Sequence, residues 1–249
     1  MIDSVFEKGL SVIKKIQETQ KEALDRSAEM IAECFVSNHH FYVSGSGHSH
    51  TVAEEFYGRA GGLAFVIPIL TTELTLTEHP TKSSYIERLP GYASILCDLY
   101  KIGKDDVVLI ASNSGRNAYP VELALCAKEK GAKVIGITSL KHSRSTPSRH
   151  SSGKHLEEVA DIVIDNCGEI GDACLKLENL EMKMCPTSSM ANSFIVQAIS
   201  VQCAKYIIDK GKNPPVFVSL NSEGTEGSEH VNDEYFETYT RQYVNKSNE

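Results

Sequence analysis

No run of about 20 apolar residues occurs, the length a helix needs to cross a bilayer, so no transmembrane segment is expected. Long Lys/Arg runs are also missing, and the formal net charge is −8. That balance argues against nucleic acid and against an anionic membrane as partners. The seven cysteines include no CxxC pair. Cys34, Cys97, Cys126 and Cys203 sit in apolar or helical patterns. They read as reduced core thiols of a cytoplasmic protein rather than as disulfides or metal ligands. Residues 1–20 are charged with a helical pattern, unlike a secretory signal. There is no internal repeat and no low-complexity tract. What is present is 249 residues, 41% of them hydrophobic, enough for a substantial core in one large domain or two small ones.

Apolar spacing predicts one or two helices over residues 3–37, a short strand at Phe41–Val43 and a helix at Thr51–Ala60 closed by Gly61-Gly62. A strand at Leu63–Leu70 follows, then a polar surface loop over 71–89 and a helix from Pro90 to about Tyr100. Strands are expected at Asp106–Ala111, Lys133–Thr138 and Asp161–Ile164, with a helix at Tyr119–Lys130. Ser139–Lys154 reads as a long polar loop leading to a short helix that ends near Ala160. Met190–Ile208 is apolar nearly all round and should be buried in the core or in a subunit interface. Asn221–His230 reads as a loop and Asp233–Tyr243 as a last helix. The expected divisions are an N-terminal helical segment (1–37), a central α/β domain (38–215) and a C-terminal tail (216–249). The β-α-β alternation with near-continuous Val/Ile runs argues a parallel sheet covered on both faces.

Two stretches stand at strand carboxyl ends and lead into helices: Val43-Ser44-Gly45-Ser46-Gly47-His48-Ser49 and Ile110-Ala111-Ser112-Asn113-Ser114-Gly115. Free backbone amides and the helix dipole make such a turn an anion site, and two turns could grip one phosphorylated ligand. The second stretch carries hydroxyls and amides through Asn117, all able to donate to phosphate. No GK[ST] follows it, so ATP is not implied. The first stretch has His50 where a dinucleotide fingerprint needs its third glycine, so that fingerprint is incomplete. An ordinary strand-to-helix turn with a Ser cap is the alternative for the second stretch. Glu54 and Glu55 follow the first turn on its helix, and a carboxylate there could move a proton or simply face solvent. Proton transfer beside a carbonyl suits groups titrating near neutrality, which brings in His48, His50, His142, His150 and His230. His48 and His50 with Glu55 could offer ligands to zinc, but they match no metal-ligand spacing. The loop hydroxyls with Lys141, Arg144, Arg149 and Lys154 could close over an anionic substrate as a lid, or form a solvated connection.

The chain resembles the SIS (sugar isomerase) domain proteins, in particular their phosphoheptose-isomerase-like branch. The matching segments are FYVSGSGHSH (41–50), EEFYGR (54–59), LIASNSGRNA (109–118), VIGITS (134–139) and PTSSMAN (186–192). They spread over roughly residues 30–215. The loop at 139–155 and the tail NSEGTEGSEHVN (221–232) resemble bacterial sugar-isomerase-domain proteins with unassigned substrates. The resemblance implies a flavodoxin-like, three-layer α/β/α sandwich with five parallel strands and packed N-terminal helices. It implies a homodimer or homotetramer with sites near subunit interfaces. It implies that Ser112, Asn113, Ser114 and Asn117 hold phosphate. His48 and Ser49 would contact phosphate or sugar, Ser188 and Ser189 the sugar, and Ser139 belongs to the same set. Glu55 takes the role of catalytic acid/base. A histidine usual on the late helix of those enzymes has no match here, where Gln197 and Gln202 stand instead. His230 or His50 is then the expected second proton-transfer group. The expected function is aldose–ketose isomerisation of a sugar phosphate, without a cofactor. Elimination from an amino sugar phosphate by a SIS-type etherase, or non-catalytic sugar-phosphate sensing, are the alternatives.

Overall fold

The computed structural model describes residues 1–221 and 228–241. Its first half comprises α1 (Ile2–Thr19), α2 (Lys21–Val36), β1 (Phe41–Gly45), α3 (Thr51–Phe56), β2 (Val66–Ile69), α4 (Lys82–Ile86), α5 (Tyr92–Leu99) and β3 (Val107–Ala111). There follow α6 (Ala118–Glu129), β4 (Lys133–Thr138), α7 (Leu140–Ser143), β5 (Ile162–Asp165), β6 (Ala173–Lys176), β7 (Lys183–Pro186), α8 (Ser188–Asp209) and α9 (Ser228–Tyr235). A π-helical segment, Phe236–Arg241, extends α9.

Strands β1 to β5 form one parallel sheet in the order β2-β1-β3-β4-β5. Its strands alternate between two cores, as the two-residue period of a strand requires. Phe41, Val43, Val107, Leu109, Ile135 and Ile137 face α1, α2, α3 and α8. Tyr42, Val108, Ile110 and Val134 face α5 and α6. The result is the three-layer α/β/α sandwich with a five-stranded parallel sheet that the sequence led us to expect. Strand order reverses at the β1/β3 pair, the place where open α/β sheets bind ligands. There Gly45 and Ala111 are register partners, so the two small-residue turns leave the sheet side by side.

Several local expectations are corrected. The helix expected over Thr51–Ala60 ends at Phe56, because Tyr57 is extended and Gly58 has φ +68°. Residues 61–64 instead exchange backbone hydrogen bonds with Pro215 and Phe217. The expected surface loop 71–89 contains α4 and buries Leu74, whose carbonyl accepts the Gly47 N–H at 2.9 Å. Helix α8, expected in the core or in a subunit interface, packs one side into the core and leaves Phe194, Val201 and Ile208 56%, 71% and 59% exposed on the single chain. They recur every seven residues and so form one stripe. The β6–β7 hairpin had no apolar alternation to announce it. His230 lies in α9 rather than in a loop, while residues 222–227 of the expected loop and 242–243 of the expected last helix lie outside the described residues. No described helix is long and apolar enough to cross a membrane.

Candidate functional site

The first turn is built around glycine. A Cβ at Gly45 would lie 2.3 Å from the Ser49 carbonyl oxygen, so only glycine lets the chain fold back over the end of β1. His50 is buried, with Nδ1 against the Gly47 carbonyl and Nε2 3.2 Å from Glu54. Both ring nitrogens are therefore occupied within its own segment. His48 is exposed and Ser49 half-exposed in the same turn.

The second turn is held from below. The Gly115 N–H donates to Ser112 Oγ at 3.2 Å. Gly115 has φ +59°, and a Cβ there would press on Leu156, Ser143 and Thr138 at 3.3 Å each. The Asn113 carbonyl accepts the Ser139 N–H at 3.1 Å, and its Oδ1 accepts Asn166 Nδ2 at 3.0 Å. Asn166 also donates to Asn192 on α8 at 3.2 Å, tying that helix to the turn. Above this base the turn is open. The Ser114 hydroxyl and the N–H groups of Ser114, Arg116, Asn117 and Ala118 have no partner among the described residues. They stand at the N-terminus of α6, a 12-residue helix. Such a ring of unpaired donors suits a phosphate.

Glu87 joins the two turns. Its carboxylate accepts from Ser46 Oγ of the first turn and from Asn117 Nδ2 of the second, the latter at 2.7 Å. Burial pushes this carboxyl up, opposed by the Ser46 bond and by the charges of Arg88 and Arg149. Nothing local marks Glu87; its partners lie 41 and 30 positions away. The 139–155 loop also packs on the second turn. Arg149 donates its N–H to the Arg116 carbonyl at 2.8 Å and its Nη1 to Asn117 Oδ1 at 3.0 Å. Leu156 donates its N–H to the Gly115 carbonyl at 2.8 Å.

Glu55 lies on α3, where Oε1 accepts Gln197 Nε2 at 2.6 Å and pairs with Arg59. Gln197 is five residues beyond Asn192 on α8, about 7.5 Å along the axis and about 140° round it. Ser139 is fully buried; its hydroxyl donates to the Gly168 carbonyl at 2.7 Å and caps α7. The Ser188 hydroxyl donates to Asp172 at 2.6 Å, and the same carboxylate accepts the Thr187 and Ser188 N–H groups. Asp172 thereby fills the N-terminus of α8, leaving Ser189 exposed beside it. His230 is exposed on α9 and makes no hydrogen bond or ion pair among the described residues. Residues Asn232, Asp233 and Phe236 of that segment line a cleft of about 500 Å³ with Tyr57 and Arg59. Among the described residues no three His, Cys, Asp or Glu side chains gather as a metal site.

A family model described as SIS domain matches residues 6–139. The chain is 44% identical to a UPF0309 protein of Halalkalibacterium halodurans, covering 92% of this chain and 94% of the relative. It is 44% identical to another from Caldanaerobacter subterraneus, covering 91% and 93%. Among solved structures, a phosphoheptose isomerase from Francisella tularensis superposes with TM-score 0.50 at 17% identity, over 84% of this chain and 96% of that one. The phosphoheptose isomerase of Neisseria gonorrhoeae gives TM-score 0.51 at 16% identity, over 82% and 96%. At these identities the structural matches bear on the fold.

Proposed function

The chain belongs to the SIS domain family, and from that premise we propose that it binds a sugar phosphate and isomerises it between aldose and ketose forms. The observation that carries this reading is the second turn: unpaired amides and the Ser114 hydroxyl at a helix N-terminus, beside the strand-order switch, with Glu55 on the helix that follows the neighbouring first turn. The phosphate docks on Ser114 and the amides of Arg116, Asn117 and Ala118. Asn113 and Ser112 hold the turn in shape. His48 and Ser49 face the sugar from the first turn, and Ser189 from α8.

Glu55 is the proposed base. The C–H bond next to the carbonyl breaks, its proton passes to Glu55, and an enediolate forms. Glu55 then returns the proton to the neighbouring carbon, while the hydroxyl proton of the enediolate passes to the former carbonyl oxygen through a first-turn group, His48 or the Ser49 hydroxyl. Glu55 thus moves the carbon-bound proton both ways, and the first turn rather than a histidine on α8 moves the oxygen-bound one. Gln197 and Arg59 position Glu55. The phosphate contact fixes which carbon is presented.

The test is Glu55→Gln. Turnover of an accepted phosphosugar, followed by proton exchange from solvent into the product, should fall by at least about a hundredfold while affinity is kept. Binding without turnover in the unaltered protein would instead favour a sensor. A product that has lost a substituent would favour elimination. We also propose a homodimer or homotetramer, on the exposed apolar stripe of α8 and on Ile2, Phe6 and Leu10 of α1, each more than half exposed.

A further inference from the structure

We propose that Arg88, Arg116 and Arg149 form a second anion subsite beside the phosphate turn, so that the preferred sugar phosphate carries a further acidic group, a carboxylate or a second phosphate. This rests on the phosphosugar reading of the second turn and narrows its substrate class.

The three side chains are gathered by one residue and its neighbour. Asn117 accepts from Arg149 Nη1 at 3.0 Å and donates to Glu87 at 2.7 Å. Arg88 follows Glu87 directly, and Arg116 precedes Asn117. The Arg116 carbonyl accepts the Arg149 N–H, which brings the two backbones together. The guanidiniums are close enough that Arg149 and Arg88 add to burial in depressing the Arg116 pKa.

Two other arginines meet a carboxylate, Arg59 pairing with Glu55 and Arg144 with Glu157 at 3.3 Å, while Arg26 on α2 stands apart from this cluster with no ion pair among the described residues. The neighbouring His150 faces Glu122 at 3.8 Å. Arg88 and Arg116 have no such partner among the described residues, and Arg149 meets only the amide oxygen of Asn117. Arg116 Nε is buried and has no acceptor there at all. A buried guanidinium N–H without an acceptor is costly and is normally satisfied by a ligand or water. The one carboxylate in the group, Glu87, has its two oxygens taken by Ser46 and Asn117 rather than by an arginine fork. A single phosphate is met by the turn's own amides and the Ser114 hydroxyl. Three guanidiniums in addition exceed what one dianion neutralises. Arginine forks match carboxylate and phosphate oxygens in geometry as well as charge.

The experiment is a calorimetric comparison of paired ligands on the full chain: fructose 6-phosphate with fructose 1,6-bisphosphate, and glucose 6-phosphate with 6-phosphogluconate. The doubly acidic member of at least one pair should bind about tenfold or more tightly, a ratio that shrinks as salt is raised. The pair that responds tells a phosphate from a carboxylate. Arg88→Gln and Arg149→Gln should bring the ratio close to one. The Arg88 side chain makes no hydrogen bond or ion pair among the described residues, so its replacement breaks no such contact, and an unchanged Tm of the free variant checks that the fold is kept. Equal affinity within both pairs overturns the subsite while leaving the phosphosugar reading standing. An equal loss for both members in the variants also overturns it, because the arginines would then hold the one phosphate. No binding by any of the four ligands removes both readings together.

Discussion

Asn117 donates its side-chain amide to Glu87 at 2.7 Å, joining the start of α6 to a segment 30 positions earlier. Since Glu87 also accepts from Ser46, this one carboxyl locks the turn after β1 to the turn after β3. Asn117→Ala would leave a buried carboxylate oxygen unpartnered and release Arg149. A loss of about 1–3 kcal/mol in chemical denaturation is expected, together with weaker phosphosugar binding.

Glu87 also gives a pH signature. Burial raises its pKa in the folded state, so the fold binds more protons than the unfolded chain between the ordinary carboxylate value and the raised one. Stability must then fall as pH rises through that window. Glu87→Gln cannot titrate, and its stability curve should lack this decline. Denaturant melts of both proteins from pH 4 to 7 would show it, and parallel curves would exclude Glu87 as the source.

Gly115→Ala tests the second turn directly. The residue would have to hold φ +59° and place a methyl group 3.3 Å from Leu156, Ser143 and Thr138. A cost of about 1–3 kcal/mol is expected, read as a lower Tm.

Asp172→Ala removes the carboxylate that caps α8 through Thr187 and Ser188. A loss of roughly 1–2 kcal/mol is expected. The variant also frees the Ser188 hydroxyl, and KM should change more than kcat if Ser188 and Ser189 touch the sugar.

The stripe of Phe194, Val201 and Ile208 is apolar surface of the kind that is buried when copies associate. Light scattering should report a dimer or tetramer, and Phe194→Glu with Val201→Glu should yield monomers. A monomer at all concentrations before substitution would remove the proposed assembly.

The sheet was legible because parallel strands buried on both faces are written as unbroken Val/Ile runs, as in Val107–Ala111. The second turn was legible because its donors are contiguous, from Ser112 to Asn117. Glu87 and Asp172 were not, because each acts on partners 15 to 41 positions away and sits in a polar stretch without period. The end of α3 at Phe56 was hidden for the same kind of reason. Its continuation is replaced by pairing of residues 61–64 with the chain beyond α8. Composition marked α8 as apolar but could not say which stripe the core leaves uncovered.

The most direct test of the central claim is a thermal-shift titration with sugar phosphates and the same sugars unphosphorylated, on the full chain and on Ser114→Asp. The Ser114 hydroxyl has no partner among the described residues, so the substitution leaves the turn folded while placing a negative charge where the phosphate docks. Binding to the native state raises Tm by mass action. The account predicts a rise with at least one phosphorylated sugar, none with its unphosphorylated counterpart, and loss of the rise in Ser114→Asp. A rise that survives Ser114→Asp, or no rise with any sugar phosphate, would contradict it.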